Sequence, residues 1–250
     1  MPPRDAEPHF LEPLLGVVFD LDGTLVLSHH DFGRMRAEVI RVAEKYGVVP
    51  GHLSVEEPIH RIVEATRQEL TSSGAPEGDL FRFEAEYAKR IDAIEAEALP
   101  RTTARAGAEP LLRALGERGF RLGVLTRSSE FFARGALVRT GLASFFPYLR
   151  SRSAPGPQKP SPEALRLLLR EMEIPDDRAL FVGDHAIDAE CATRAHVRFY
   201  GVLADPSEQL PEPMDTDRFL AAGASAVAKD LNELAHHLDV AGPARPTPAG

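Results

Sequence analysis

One stretch constrains this chain more than any other. A short apolar run, residues 14–19, ends at two carboxylates one residue apart, Asp20 and Asp22, and then at Gly23. A compact apolar run bounded by turn residues reads as a strand buried on both faces, as in the middle of a parallel sheet. Gly23 marks the turn, so both acids stand just past the strand's C-terminal edge. Open α/β sheets bind their ligands at that edge. Alone, Asp-x-Asp-Gly also describes a polar strand end running into a turn, so the rest of the chain has to decide.

Length and charge narrow the classes. At 250 residues the chain can hold one large domain or a core with a smaller companion, on a basis of roughly 100–200 residues per domain. A net charge of −9 argues against a general nucleic-acid binder, which would carry a basic face. Any anionic ligand would need locally placed cations. The single cysteine, Cys191, excludes an internal disulfide and reads as a small buried hydrophobe. No apolar run approaches the roughly 20 residues of a membrane span. Residues 1–13 are proline-rich and polar, without the apolar segment of a signal peptide. The expectation is a soluble, cytoplasmic protein with a small-molecule partner, no nucleic acid and no membrane.

Along the chain, 1–12 and 241–250 read as disordered tails. After Thr24 the pattern changes. Three amphipathic segments, 32–46, 55–72 and 80–99, occupy the next block, with no convincing strand. Their candidate core residues are Met35, Val39, Val42 and Tyr46, then Ile59, Ile62, Val63 and Leu70, then Phe81, Phe83, Tyr87, Ile91 and Ile94. Beyond residue 100, helices and strands alternate. Helices are predicted at 108–117, 130–140, 161–173, 186–195 and 231–238. Strands are predicted at 120–125, 148–150, 179–182, 197–203 and 226–229. Ser161 and Pro162 read as the cap and first residue of a helix. Alternating βα units imply a parallel sheet covered on both faces. The fold class expected is α/β: a doubly wound (Rossmann-like) parallel core from 13–30 and 100–240, with an inserted all-helical unit at 31–99.

Four polar groups then fall at equivalent places. Asp20 and Asp22 follow the first strand, Thr126 closes another, Lys159 precedes a helix, and Asp184 closes a third strand with Asp188 one helical turn on. In a doubly wound sheet these converge on one rim. Acids, a hydroxyl and an ammonium together suit a phosphate and a hard divalent cation, Mg²⁺ best, bound through oxygens. Backbone N–H groups at the helix after Thr126 would help hold the phosphate. A carboxylate can also accept a phosphoryl group.

The strings FDLDGTL, LTRS, KPSPEAL and Gly183-Asp184-His185-Ala186-Ile187-Asp188 resemble, in order and spacing, the four motifs of the haloacid dehalogenase superfamily of hydrolases. The helical insert is similar to the C1-type cap of its phosphoglycolate-phosphatase-like branch. The resemblance implies Asp20 as nucleophile and Asp22 as the acid that protonates the leaving oxygen and then activates water. It implies Thr126 and Lys159 as phosphate ligands. It implies Mg²⁺ held by Asp20, the Asp22 carbonyl and Asp184, with Asp188 in or beside that shell. Arg127 stands where Asn or Ser is common; its guanidinium could grip an anionic group or face outward. Leu27 stands where many members of that branch carry Asp, and His185 where many carry Ser or Thr. The implied cap would close over the site and choose the substrate.

The function expected is Mg²⁺-dependent hydrolysis of a small phosphate monoester, phosphoglycolate-like or a sugar phosphate, through an aspartyl-phosphate. The alternatives are a phosphotransferase resembling β-phosphoglucomutase and a ligand-binding member without turnover. Lys45 and Lys89, the lysines of the insert, lack a context for Schiff-base chemistry. Adjacent His29 and His30, with Arg34, fall near the junction with the insert, where substrate contact or simple exposure both read more naturally than a metal site. Arg61 and Arg67 read as solvated charges.

Overall fold

The computed structural model describes residues 13–205, 207 and 213–239; the expected tails at 1–12 and 241–250 lie outside them. The strands are β1 (Gly16–Phe19), β2 (Val26–Leu27), β3 (Thr103–Ala104), β4 (Arg121–Leu125), β5 (Tyr148–Arg150), β6 (Ala179–Gly183), β7 (Arg198–Val202) and β8 (Ala226–Ala228). The helices are α1 (Phe32–Lys45), α2 (Ile59–Ser72), α3 (Glu77–Ala98), α4 (Ala108–Glu117), α5 (Glu130–Arg139), α6 (Pro162–Glu171), α7 (Ala186–Ala195), α8 (Thr216–Ala221) and α9 (Leu231–His237). They form two compact units, one running to Leu27 and resuming at Thr103, the other Ser28–Thr102. The sequence expectation had put the second at 31–99.

The first unit is α/β. Its six strands lie in the order β5-β4-β1-β6-β7-β8, every neighbouring pair parallel. β1 is central: Phe19 pairs with Val124 of β4 on one side and Val182 of β6 on the other. The chain winds outward from β1 to β4 and β5, then crosses back to β6. The reversal therefore falls at β1, between its two partners, and opens a crevice at their C-terminal ends. All four residues of β1 and all five of β6 are buried, as the unbroken apolar runs require. On one side of the sheet, Ala164, Leu165, Leu168 and Leu169 of α6 pack with Ala189, Ala192 and Ala195 of α7 against Val18 and Phe181. The spacing on α6 is the amphipathic helix pattern. Three elements escaped the local pattern. β2 and β3 pair antiparallel, Val26 with Ala104 and Leu27 with Thr103, and α8 is six residues long. Ser161 does occupy the N-cap of α6 with Pro162 in its first turn, but its hydroxyl makes no capping bond.

The second unit is helical. Met35, Val39, Val42 and Ala43 of α1, Ile62, Val63 and Leu70 of α2, and Phe83, Tyr87, Ile91 and Ile94 of α3 form its core. Phe81 does not join them: it is 75 % exposed. At about 100° per residue it lies roughly 200° around the helix from Phe83, off the buried stripe. α2 begins at Ile59 rather than 55, because Pro58 at its N-cap disfavours helical backbone at the residue before it. Arg34 pairs with Glu97 at 2.5 Å, Lys45 with Glu86 at 2.5 Å and Arg67 with Glu84 at 2.7 Å. Such exposed pairs are screened by solvent and contribute little; apolar packing carries the unit. Among the described residues, no helix is long and apolar enough to cross a membrane.

Leu168 is fully buried where α6 meets the sheet. Leu168→Ala should cost about 2–5 kcal/mol of stability, read from urea denaturation midpoints. A loss below about 1 kcal/mol would show that this interface is not close-packed.

Candidate active site

β1 ends at Phe19, so Asp20 and Asp22 both belong to the turn beyond it. The Asp20 N–H still donates to the Val182 carbonyl at 2.9 Å, which pins its position on the rim. Gly23 turns the chain with φ of 83°, and a Cβ there would collide with the Asp184 carboxylate. Only glycine gives both that backbone and that space. The Thr24 hydroxyl then donates to Asp184 Oδ1 at 2.7 Å.

Lys159 comes from the loop before α6, and its peptide bond to Pro160 is cis. The side chain is only 4 % exposed. Its Nζ donates to Asp20 Oδ1 and, at 2.7 Å, to Asp188 Oδ1. It also stands 5.7 Å from the centre of the Phe181 ring. Asp188 uses its other oxygen to accept from the His185 N–H at 3.2 Å, closing the first turn of α7. A Cβ on Gly183 would stand 2.5 Å from that same oxygen, so glycine again permits the approach. Carboxylate oxygens of Asp20, Asp184 and Asp188 lie within 4.8 Å of one another. The structure thus gathers Asp20, Lys159, Asp184 and Asp188 into one buried cluster.

Asp22 points elsewhere. Its Oδ2 accepts from Ser128 Oγ at 2.6 Å and from Thr126 Oγ1 at 3.3 Å. The Thr126 hydroxyl also accepts from the Ser128 N–H at 3.0 Å. The Arg127 guanidinium donates to the Lys159 carbonyl at 2.9 Å, so it braces the lysine's loop in this structure. His185 is the N-cap of α7; its Nδ1 accepts from the Ile187 N–H at 3.2 Å. Burial holds His185 below its ordinary value. The neutral ring with its proton on Nε2 satisfies that bond. Three polar residues were not singled out from sequence: Thr24, Ser128 and Arg105. The first two lie inside the quoted strings, Thr24 two positions after Asp22 and Ser128 one position after Arg127. Arg105 follows the helical unit and carried no local signal.

Comparison with known proteins decides the family. The haloacid dehalogenase-like hydrolase model matches residues 14–196, most of the chain. This chain belongs to the haloacid dehalogenase-like hydrolases. It is 30% identical over 226 residues to a phosphoglycolate phosphatase of Rhodospirillum rubrum, covering 83% of this chain and 88% of that one. It is 32% identical over 202 residues to a phosphoglycolate phosphatase of Cereibacter sphaeroides, covering 78% and 90%. A hydrolase from Pseudomonas syringae has the same fold, with a TM-score of 0.65 at 22% identity over 91% of this chain and 98% of that one. A HAD family hydrolase from Deinococcus radiodurans superposes with a TM-score of 0.61 at 22% identity, over 94% and 99%.

In this hydrolase the cluster is short of positive charge. Three buried carboxylates face one ammonium. Burial pushes Asp20 well above the ordinary carboxylate range; Lys159 opposes this, and Asp188, Asp184 and Asp22 add to it. Burial, reinforced by Asp188, raises Asp184 to about 7, against the hydrogen bond from Thr24. Burial alone would lower Lys159, but Asp188 and Asp20 outweigh it and keep the ammonium charged. An all-oxygen donor set with this deficit fits a hard divalent cation and suits no soft metal.

A carboxyl raised in the folded chain keeps a proton that the unfolded chain has already released. Without metal, Asp184 therefore costs stability as pH climbs from its unfolded value of 3.8 toward about 7. Between about pH 5 and about pH 7 in a chelator, the urea midpoint of the parent should fall more than that of Asp184→Asn. Equal falls would mean that Asp184 is not held up by its surroundings.

Proposed function

We propose that this chain is a Mg²⁺-dependent phosphatase that hydrolyses a small-molecule phosphate monoester through an aspartyl-phosphate at Asp20. The observation that carries the reading is the gathering of Asp20, Lys159, Asp184 and Asp188 at the rim, with Asp22 held beside them by Ser128 and Thr126. That the enzyme is a phosphatase is supported by its family and by the curated relatives at about 30% identity, which are phosphoglycolate phosphatases. Phosphoglycolate or a compound of its kind, with sugar phosphates next, is the substrate class this favours.

The residues divide the work. Asp20 attacks phosphorus, and the bond from phosphorus to the leaving oxygen breaks as Asp22 gives that oxygen a proton. Asp22, now ionised, takes a proton from water. The water oxygen attacks phosphorus, the bond to Asp20 breaks, and inorganic phosphate leaves. Ser128 and Thr126 hold the Asp22 carboxylate, and the Thr126 hydroxyl can turn from Asp22 to a phosphate oxygen. Lys159 would bind the phosphate and lessen its repulsion from Asp20. Arg127 contributes through its hold on the Lys159 carbonyl. Mg²⁺ would be held by Asp20, Asp184 and the Asp22 carbonyl, with Asp188 beside them, and when bound it supplies charge neutralisation for an anionic nucleophile meeting an anionic substrate.

The phosphotransferase alternative gains nothing here. A structure from Thermotoga maritima proposed to be a β-phosphoglucomutase shares the fold at 22% identity and a TM-score of 0.58, and that likeness carries architecture alone.

The purified protein in Mg²⁺ should release phosphate from at least one member of a phosphomonoester panel. Asp20→Asn should lower that release by roughly 10³-fold or more with its circular dichroism unchanged. Chelation of the metal should stop release, and added Mg²⁺ should restore it. An Asp20→Asn protein as active as its parent would remove the proposed nucleophile.

A further inference from the structure

Arg105 is a buried cation that the chemistry above leaves unused. It is 3 % exposed. Its backbone N–H donates to the Leu25 carbonyl at 2.9 Å. Its guanidinium donates from Nη1 to the Gly23 carbonyl at 2.5 Å and from Nη2 to the Leu203 carbonyl. Gly23 belongs to the turn after β1, and Leu203 follows β7 directly. One side chain thus ties two rim loops together, and the residue's backbone N–H adds a separate hold on Leu25. Burying a guanidinium is costly unless its donors are satisfied, so the position calls for a physical reason.

We propose that Arg105 is a positioning residue of the active site. Its guanidinium fixes the Gly23–Thr24 peptide, and through it the Asp22 carbonyl and carboxylate and the Thr24 hydroxyl on Asp184. The inference rests on the phosphatase reading above. The peptide Arg105 grips lies between the groups that matter. Before it stands Asp22; after it stands Thr24, whose hydroxyl reaches Asp184 at 2.7 Å. Gly23 itself is pressed against the Asp184 carboxylate. The turn keeps three other bonds, Gly23 N–H to Val26 O at 2.8 Å, Leu25 N–H to Leu21 O at 2.9 Å and Val26 N–H to Leu21 O at 3.0 Å. Loss of Arg105 should therefore leave the turn formed but its Gly23 carbonyl unheld. Arginine suits the task because its planar fork serves two divergent acceptors at once, whereas a lysine is a point charge on a flexible stem. The charge also acts on Asp184, favouring its ionised form.

The test compares the parent with Arg105→Met and Arg105→Lys, each checked for folding by circular dichroism. Three quantities are read: kcat and KM for p-nitrophenyl phosphate, and Mg²⁺ affinity by calorimetry without substrate. For Arg105→Met, kcat should fall about 10-fold or more, KM should stay within about 3-fold, and the Mg²⁺ Kd should rise about 10-fold. Arg105→Lys, which keeps the charge and one bond, should fall between the two. A folded Arg105→Met with parental kcat and Mg²⁺ affinity, losing only melting temperature, would reduce Arg105 to a core staple and overturn the proposal. If the methionine protein does not fold, the lysine variant decides on the same readouts, parental values again overturning it. A parent that releases no phosphate would bring down the phosphatase reading and this inference with it, which an active parent with indifferent variants would not.

Discussion

A single ammonium among three carboxylates, all but removed from water, is the constraint on which the rest of the molecule depends. Desolvating each of these ions costs several kcal/mol after relaxation. Lys159 satisfies two of its donors on Asp20 and Asp188, and Thr24 serves Asp184. The account still does not balance, because the acids outnumber the cation. Natural proteins rarely bury such a deficit without a use for it. A cluster lacking positive charge and lined by oxygens suits a divalent ion, and an ion beside an ionised carboxylate suits a phosphate.

That cluster exists because the sheet puts its winding reversal at β1. Asp20 and Lys159 are 139 residues apart in sequence, and Thr24 and Asp184 are 160 apart. Parallel strands joined by crossovers all deliver their C-terminal ends to the same rim. Two glycines then allow closer contact than any side chain would: Gly23 against Asp184, and Gly183 against Asp188. The arginines work at the next remove. Arg127 holds the backbone of Lys159, and Arg105 holds the backbone beside Asp22. Both hold backbone carbonyls rather than side chains in these contacts.

Much of this was legible in the sequence for local reasons. An unbroken apolar run has to be a doubly buried strand, and an apolar stripe at helical spacing has to be a packed helix. The fold class and most elements follow from those two rules. The misses share a cause. Phe81 looked like core because it is apolar and near Phe83, yet its angle around α3 sends it to solvent. β2 and β3 are too short for a pattern and owe their existence to pairing across the whole helical unit. Ser161 is a good cap by type, but its hydroxyl makes no such bond.

Sequence alone determined the chemistry on offer: which residues end strands, and that acids, a hydroxyl and a lysine would meet at one rim. Residue type and local backbone suffice for that, since strand ends in a parallel sheet share a direction. Only the tertiary structure decided the pairings. It gave Lys159 to Asp20 and Asp188, turned Asp22 toward Ser128 and Thr126, sent Arg127 to the lysine's own carbonyl and buried Arg105 against Gly23 and Leu203. Those partners are chosen by distances of a few ångströms between loops far apart in the chain. No local rule of spacing or propensity carries that information.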